Sequence, residues 1–590
     1  MLSNKQKEVL NICKENILKG MIHLHELPTG FGKSTYLLPY LAIDLHKKKK
    51  VIISTSTNFL ANKLFSNLKE KFPLINIGIV IGAENYLDLK KIDNDFYGYF
   101  VYPHSVMEYI KKLKKNITFD ELYRDCLIND DDQDIVSDIY HADNREDLND
   151  VSVYDVSITN HVFLLLLKYN KSIDLSDYFI LSDEVHEIYD AQKLISESSF
   201  SISRFKVSLK RIISKSVIDR ETKMYLGKIY KDSCDMLNKY KDENKIDMYI
   251  TDKQYFKEYI NELISFASKR KKLVKIIEKL KGDKYAKIFL REYNELKDIT
   301  NGNGELSLYF SKTKGYPTLH YRRQNIQAGL YVFFKNLSGF VGVSGTLYTV
   351  PPETNKKDFK GNAKIDGTSY IINKLGINSL KDKVIIKYTS RIFPIDNIKI
   401  HTEYLFAKKN DDSDGEILDN EWIENIAKLI AKTHNYKNSM VIMGSYGEVK
   451  ALHEILVKFL LDVNIVKADY TTTQMQTINK FKSEGGILIG TRTYAKGIDL
   501  PGKELENLYI PKLLFPPIND KSMLDKKAFS AGYYWDDVYN DMLFMLRQSL
   551  GRLQRRPDDK GDIYIFDNRI NSTRVKPKVE RIFKTIGKLI

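Results

Sequence analysis

The chain has 590 residues, which is too long for one hydrophobic core and predicts three or four domains of ~150 residues each. Lysine and arginine (92) outnumber aspartate and glutamate (77), and the net charge of +15 favours a polyanionic partner such as nucleic acid. A polar N-terminus and the lack of a long apolar run exclude a secretory signal and a membrane span. We therefore expect a soluble, cytoplasmic protein with no membrane partner. Three widely separated cysteines predict neither a disulfide framework nor a local metal site.

A glycine-rich segment at 28–35 (PTGFGKST) lies between an extended run at 21–26 and a helical run that begins at Ser34. Glycines at such a junction let backbone N–H groups curl around phosphate oxygens at a helix N-terminus. Lys33 offers a charge for the β- and γ-phosphates, and the hydroxyl of Ser34 can join a Mg²⁺ shell. The pattern predicts an ATP site, although Leu27 stands where the strict pattern has glycine. The alternative is a turn that binds nothing.

A second apolar strand is predicted at 51–57 (VIISTST), and it ends in hydroxyl residues. Such hydroxyl groups either bond a nucleic-acid phosphate or cap the helix that follows. Taken alone, the cap is the commoner role.

A third apolar strand at 178–182 ends in two adjacent carboxylates, Asp183 and Glu184. An isolated pair of this kind usually marks a turn. After a phosphate loop in the same α/β segment, we predict that Asp183 holds Mg²⁺ and that Glu184 orients and deprotonates the attacking water. His186 is either an ordinary histidine at a strand end or a link from the ATP site to an opposite domain.

The chain changes character twice between two α/β parts. Residues 88–150 are rich in Asp, Asn, Lys and Tyr without alternation, which predicts an insertion of modest structure. Residues 196–325 lack strand signals until near their end and carry long helical runs such as 255–281. The basic residues of 269–275 either face solvent or contact phosphate. A second α/β domain is predicted from residue 390.

Near the C-terminus, the segment 548–555 (QSLGRLQR) combines a glutamine with two arginines. On a helix, spacings of four and three place Gln548, Arg552 and Arg555 along one face. Guanidinium groups placed in this way can reach across a cleft and compensate the charge of a departing phosphate. Arginine-rich helices that only face solvent are common, so this spacing carries weight only together with the other motifs.

Taken in order, these residues resemble the DinG/XPD family of superfamily 2 DNA helicases. The matching positions are Gln6, motif I at 26–35, motif Ia at 54–57, a Thr-Asn-His run at 159–161, a DEAH box at 183–186, motif III at 344–347, motif V at 497–502 and motif VI at 548–555. Two positions depart from the family pattern, since Gly345 replaces the usual alanine and Lys496 the usual glutamate.

The resemblance implies two RecA-like motor domains, the first interrupted by a cluster-binding insertion and by a mainly helical Arch. On that template, motor domain 1 comprises 1–87, 151–195 and 326–389, the reduced cluster-domain-like insertion 88–150, the Arch-like insertion 196–325, and motor domain 2 390–590. Members with an iron–sulfur cluster hold it with four cysteines. Cys126 is the only cysteine in the insertion and Asp88 stands at the first ligand position, so we expect no cluster. The phosphate loop begins so early that we also expect no extra nuclease domain.

The resemblance also implies ATP and Mg²⁺ between the motor domains, with single-stranded DNA crossing both. The residues expected to hold nucleotide are Gln6, Thr29, Gly30, Phe31, Gly32, Lys33, Ser34, Thr35 and Asp499. Those expected to hold Mg²⁺ are Ser34 and Asp183, and those expected to act in hydrolysis are Lys33, Asp183, Glu184, Gln548, Arg552 and Arg555. Ser54, Thr55, Asn160 and Thr491 are expected to contact nucleic acid.

The predicted function is that of an ATP-dependent DNA helicase or translocase, moving 5′ to 3′ on single strands and acting at duplex junctions. The alternative is a DNA-stimulated ATPase that serves as an accessory remodelling subunit, for example of a CRISPR or mobile-element complex, with protein partners of its own. The missing cluster cysteines favour this alternative. An inactive scaffold is disfavoured because the set of motif residues is complete.

Overall fold

Two compact units make up the part of the chain that a computed structural model describes. The described residues are 3–81, 150–170, 172–216, 218–242, 253–268, 305–310, 316–322, 326–352, 367–390, 393–403, 419–469, 474–495, 498, 500–516, 531–554 and 556–590, with single helical positions between 273 and 299. One unit joins Met1–Ile188 to Leu330–Ile590, and the other is Tyr189–Gly329. The predicted insertion at 88–150 lies outside the described residues, apart from its last residue.

The first half of the larger unit, here called the first lobe, is built on a parallel sheet of seven strands in the order β10-β1-β9-β5-β2-β4-β3. Its strands are β1 (Ile22–Glu26), β2 (Lys50–Thr55), β3 (Ile77–Ile79), β4 (Val156–Asn160), β5 (Tyr178–Asp183), β9 (Phe340–Ser344) and β10 (Val384–Tyr388). Its helices are α1 (Asn4–Leu18), α2 (Leu38–Leu45), α3 (Asn58–Lys71), α4 (His161–Leu167) and α10 (Ser369–Lys374). The strands are apolar runs because a parallel sheet is covered on both faces.

Side-chain caps fix where three helices of the first lobe begin. Ser3 and Gln6 form a reciprocal capping box at α1. Thr57 and Asn160 each accept a hydrogen bond from the backbone N–H three residues further on, at the starts of α3 and α4. The hydroxyl at the end of the 51–57 segment therefore takes the capping role.

The second half of the larger unit, the second lobe, has another parallel seven-stranded sheet, in the order β13-β14-β12-β15-β16-β11-β17. Its strands are β11 (Ile398–His401), β12 (Ser439–Ile442), β13 (Ile465–Lys467), β14 (Ile487–Gly490), β15 (Asn507–Ile510), β16 (Gly561–Ile565) and β17 (Lys588–Leu589). Its helices are α11 (Asn420–Thr433), α12 (Tyr446–Phe459), α13 (Gln474–Glu484), α14 (Ala531–Leu550) and α15 (Lys576–Ile586). Separate apolar clusters cover the two faces of this sheet. The two parallel sheets confirm the predicted α/β class.

The smaller unit is a helical body with an antiparallel three-stranded sheet, in the order β6-β8-β7. The sheet contains β6 (Glu197–Ser201), β7 (Glu305–Phe310) and β8 (Pro317–Arg322), and the helices are α6 (Ile202–Lys215), α7 (Arg220–Tyr240) and α8 (Lys253–Ser268). Helices α5 (Ile188–Ser196) and α9 (Ile326–Lys335) carry the chain between the units. The start of this insertion forms strand β6, whereas the sequence predicts no strand there. The residues of β6 carry no clear strand pattern. The basic residues of 269–275 lie outside the described part.

Within the described residues, none of the helices combines the length and the apolar character that crossing a bilayer requires.

Candidate nucleotide-binding and hydrolysis site

The central strands of the first sheet bring three motifs together. Strand β9 lies between β1 and β5, and all three run in the same direction. Glu26 pairs with Ser344 and Asp183 with Val343 in the strand register. Because the carboxyl ends of parallel strands form one edge, the segments that follow these strands meet there.

The phosphate-loop segment turns at two glycines with left-handed backbone. Gly30 has a φ of 76° and Gly32 a φ of 83°, and a Cβ on Gly32 would lie 2.7 Å from Cδ2 of Tyr36. A π-helical turn, Lys33–Leu37, follows and leads into α2. The helical segment thus begins one residue earlier than predicted. The loop has the open backbone that a phosphate cradle requires.

The charged and hydroxyl groups predicted for ATP chemistry converge at this edge. Nζ of Lys33 lies 3.6 Å from Oε1 of Glu184. The hydroxyl of Ser34 donates a hydrogen bond to Oδ2 of Asp183. These four residues come from two segments separated by about 150 residues in sequence, and the fold brings their side chains together.

Glu184 is held by both its backbone and its carboxylate. Its φ of 48° is left-handed, which is uncommon for a residue with a side chain and typical of functional sites. Its Oε2 accepts hydrogen bonds from Oγ of Ser344 (2.8 Å) and from the backbone N–H of Gly345 (3.4 Å). These contacts hold Oε2, and the other oxygen, Oε1, lies near Nζ of Lys33.

The pKa values of the two carboxylates are shifted in opposite directions. Burial and the charge of Glu184 raise the pKa of Asp183 to about 6. Burial also opposes ionisation of Glu184, but the charges of Lys33 and His186 outweigh it and lower the pKa of Glu184 to about 2. Glu184 is therefore ionised at neutral pH.

A hydrogen-bonded chain connects Glu184 to the second lobe. Oγ of Ser344 lies 2.8 Å from Oε2 of Glu184 and 2.8 Å from Nδ1 of His186. On the other side of the ring, Nε2 of His186 lies 2.9 Å from Nε2 of Gln548. Gln548 comes from α14, so His186 contacts both lobes.

Gln6 and Thr29 secure the phosphate loop from outside. The side chain of Gln6 donates to the carbonyl of Phe31 (2.7 Å) and accepts from the N–H of Ser3 (2.8 Å). The hydroxyl of Thr29 donates to the carbonyl of Gln554 in the second lobe (3.1 Å). Phe31 is buried, whereas Thr35 is exposed.

Motif VI differs from the predicted helix face. Helix α14 ends at Leu550, and Arg552 lies in the turn beyond it. The prediction that the glutamine and both arginines share one helix face is therefore wrong. Arg552 donates from Nη1 to the carbonyl of Ile498 (2.8 Å). Arg555 and Asp499 lie outside the described residues.

Ser54 and Thr55, expected to contact nucleic acid, are buried instead. Oγ of Ser54 lies 3.1 Å from Nδ1 of His161, and Oγ1 of Thr55 donates to the carbonyl of Thr57 (2.9 Å). Both hydroxyl groups have their hydrogen-bond partners within the protein, because strand β2 is covered on both faces. Their side chains are therefore not available for a phosphate in this structure.

The other two residues expected at nucleic acid also have local partners. Asn160 caps α4, and its Nδ2 donates to Oδ1 of Asn58 (2.5 Å). Thr491 is mostly buried, and its Oγ1 lies 3.1 Å from Oγ1 of Thr493.

One group of metal-ligating residue types occurs among the described residues: Cys13, His23 and His25. The histidines form a chain from Asn16 to Thr389, with successive distances of 3.0, 3.1 and 2.9 Å. Burial lowers the pKa of His23 to about 3 and that of His25 well below its usual value, and it raises the pKa of Cys13 to about 12. Neutral rings with every nitrogen paired, beside a protonated thiol, indicate a structural hydrogen-bond chain.

Residues 426–585 match the Helicase C-terminal domain family. The ATP-dependent DNA helicase DinG of Escherichia coli is 19% identical over 92% of this chain and 87% of its own length. The structure of an XPD helicase covers 100% of this chain and 99% of its own at 16% identity, with a TM-score of 0.61. Along most of its length, the chain is similar to the DinG and XPD helicases. The Xpd4 structure of S. tokodaii, at 15% identity and a TM-score of 0.56, covers the full length of both chains. These similarities confirm two RecA-like domains as the fold.

Local matches to other relatives are short. A probable ATP-dependent helicase of Methanocaldococcus jannaschii is 25% identical over 36% of each chain. The match to the 3′-5′ exonuclease DinG of Staphylococcus haemolyticus is 30% identical over 23% of this chain and 15% of that protein. The chain thus matches about a third or less of the length of these two relatives.

Three residues of the site have no assigned role in the sequence predictions. Ser344 joins Glu184 to His186, and its position in motif III is the signal that identifies it. Glu26 and Arg547 form a buried ion pair between the lobes, with 2.5 Å between Oε1 and Nη2. A carboxylate at the end of an apolar strand and an arginine next to the motif VI glutamine are the signals for this pair.

Proposed function

We propose that the chain is an ATP-dependent DNA helicase or translocase that hydrolyses ATP and uses it to move along single-stranded DNA. The observation that carries the proposal is the convergence of Lys33, Ser34, Asp183 and Glu184 at one sheet edge. The similarity to proteins named as DNA helicases supports it along most of the chain.

The site fits a Mg²⁺–nucleotide. The hydroxyl of Ser34 and the carboxylate of Asp183 are adjacent oxygen ligands of the kind that Mg²⁺ prefers. The left-handed glycines leave the loop open for phosphate oxygens. When bound, Mg²⁺ supplies charge neutralisation at the phosphates.

The proposed roles follow from charge and contact. Lys33 exchanges its contact with Glu184 for the phosphates, and the ionised Glu184 accepts a proton from the attacking water. Ser344 orients that carboxylate. Gln548 links the second lobe to the site through its contact with His186. Arg552 and Arg555 remain proposed as groups that compensate phosphate charge.

We further propose movement from 5′ to 3′ with strand separation at duplex junctions. Asn160 and Thr491 stay candidates for nucleic-acid contact, and the burial of Ser54 and Thr55 removes their side chains from this set. The absence of an iron–sulfur cluster and the cytoplasmic location also stay predictions.

Steady-state ATP hydrolysis with and without single-stranded DNA tests the proposal. We expect DNA to stimulate turnover, and we expect Lys33→Ala to abolish it because the phosphates lose their counter-charge. Glu184→Gln should retain ATP binding and lose turnover. Stimulated hydrolysis that survives in Lys33→Ala would refute the site. Hydrolysis and DNA binding without translocation or unwinding would favour an accessory remodelling ATPase.

A further inference from the structure

Glu26, the last residue of β1, places a carboxylate inside the protein just before the phosphate loop. Its Oε2 accepts from the backbone N–H groups of Leu347 (2.6 Å) and Tyr348 (2.8 Å). Arg547 approaches both oxygens, with Nη1 3.2 Å from Oε2 and Nη2 2.5 Å from Oε1. Four donors therefore occupy this carboxylate, which leaves it no role in contacting substrate.

Three distant segments meet at this ion pair. Arg547 also donates to the carbonyl of Tyr348, so both backbone groups of Tyr348 are used. Leu347 and Tyr348 follow Ser344, the residue that orients Glu184. The pair thus joins the phosphate-loop strand, the motif III segment and α14 of the second lobe.

The contact has a defined geometry because a guanidinium fork meets a carboxylate with two parallel hydrogen bonds. Both side chains are at least nine-tenths buried, so neither partner is solvated by water when the other is removed. Gln548 follows Arg547 directly and reaches His186. Fixing Arg547 against Glu26 therefore fixes where Gln548 meets the first lobe.

We propose that the Glu26–Arg547 ion pair is a positioning contact that holds α14 and the motif III segment in register with the phosphate loop. It thereby sets the rate of hydrolysis of bound ATP without contributing to ATP affinity. The expected effect on hydrolysis rests on the proposed function. The expected effect on the docking of α14 does not depend on it.

The kinetic test compares Glu26→Gln, Arg547→Met and the double variant. Gln keeps an acceptor of the same shape for Leu347 and Tyr348, and Met keeps the bulk of the arginine stem. We expect each single variant to lower kcat at least tenfold while KM for ATP stays within threefold. The double variant should lose less than the product of the single losses, because it leaves neither charge unpaired. Arg547→Lys, which keeps the charge and loses the fork, is the fallback if Arg547→Met does not fold.

A matched control comes from the second lobe. Glu448 is also buried and accepts from the N–H groups of Gly444 and Ser445 and from Lys512, and these three partners belong to the same lobe as Glu448. We expect Glu448→Gln to lower thermal stability and to leave kcat within twofold of the wild type.

Hydrogen exchange provides a readout that does not depend on activity. We expect the amides of 345–349 and 545–554 to exchange at least tenfold faster in Arg547→Met than in the wild type, and to be unchanged in Glu448→Gln. Unchanged exchange in Arg547→Met, or losses of kcat that multiply in the double variant, would overturn the inference. A wild-type protein without ATPase activity would refute the proposed function, and hydrogen exchange would still decide whether the pair docks the lobes.

Discussion

Gln548 of the second lobe lies 2.9 Å from His186 of the first lobe, between their Nε2 atoms. His186 contacts Ser344, and Ser344 contacts the carboxylate of Glu184. Three side-chain contacts therefore connect the second lobe to the group proposed to activate water. A change in the position of α14 would therefore alter the contacts of that carboxylate through these side chains.

The contact between Gln548 and His186 predicts a kinetic coupling between the two residues. Gln548→Ala should lower kcat about tenfold, equivalent to about 1.4 kcal/mol of transition-state stabilisation. ATP affinity should change little, because neither residue is proposed to hold phosphate. His186→Ala should have a similar effect, and the double variant should be no worse than the more severe single variant. Steady-state kinetics of the four proteins check this, and effects that multiply would show that the two residues act independently.

Ser344 is predicted to orient the general base. Ser344→Ala removes a hydrogen bond to an ionised carboxylate, an interaction worth about 1.5–3 kcal/mol. We expect kcat to fall about tenfold or more, while Ser344→Thr, which keeps a hydroxyl, retains most of the activity. Equal activity of the Ala and wild-type proteins in an ATPase assay would contradict the role of this hydroxyl.

Gly32 is predicted to require the absence of a side chain. Gly32→Ala places a Cβ on a backbone with φ of 83° and 2.7 Å from the ring of Tyr36. We expect loss of ATP binding in a titration with a fluorescent ATP analogue. Gly227→Ala is the control, because nothing lies within 4 Å of its Cβ and the residue is inside α7. That change should stabilise the helix by about 1 kcal/mol and leave ATP binding intact.

The buried histidine chain predicts a loss of stability in acid. The pKa of His23 is about 3 in the folded protein, below its unfolded value of about 6.5, so the unfolded chain takes up the proton first as pH falls. Stability is therefore lost below about pH 6.5. Between pH 7.5 and 5.5 we expect His23→Gln to reduce this loss by about 1.4 kcal/mol. The opening free energy of β1 amides, from hydrogen exchange at the two pH values, measures it, and an equal loss in both proteins would contradict the assignment.

The strands that carry the site could be predicted from the sequence because each is a short apolar run followed at once by its functional residues. The phosphate loop follows β1, Asp183 is the last residue of β5 and Glu184 comes directly after it, as predicted. The parallel order of the sheet then brings them to one edge, which local sequence cannot specify but the α/β alternation favours.

Other features depend on contacts that no local pattern specifies. Glu26 and Arg547 are 521 residues apart, so only the folded lobes pair them. Ser54 follows the pattern of a phosphate-contacting hydroxyl, but its hydroxyl group is paired with His161 in the folded protein. Helix α14 ends at Leu550, before Arg552, and the spacing of the motif residues does not indicate this end.

We propose that ATP hydrolysis at this site drives movement along DNA, and an unwinding assay tests this coupling. Duplexes with a 5′ or a 3′ single-stranded overhang are incubated with ATP and Mg²⁺, and strand separation is followed by fluorescence, with Glu184→Gln as the control. We expect unwinding of the duplex with the 5′ overhang alone, and no unwinding with Glu184→Gln. Unwinding by Glu184→Gln at the wild-type rate, or no ATP-dependent movement of the wild type on any strand, would contradict it.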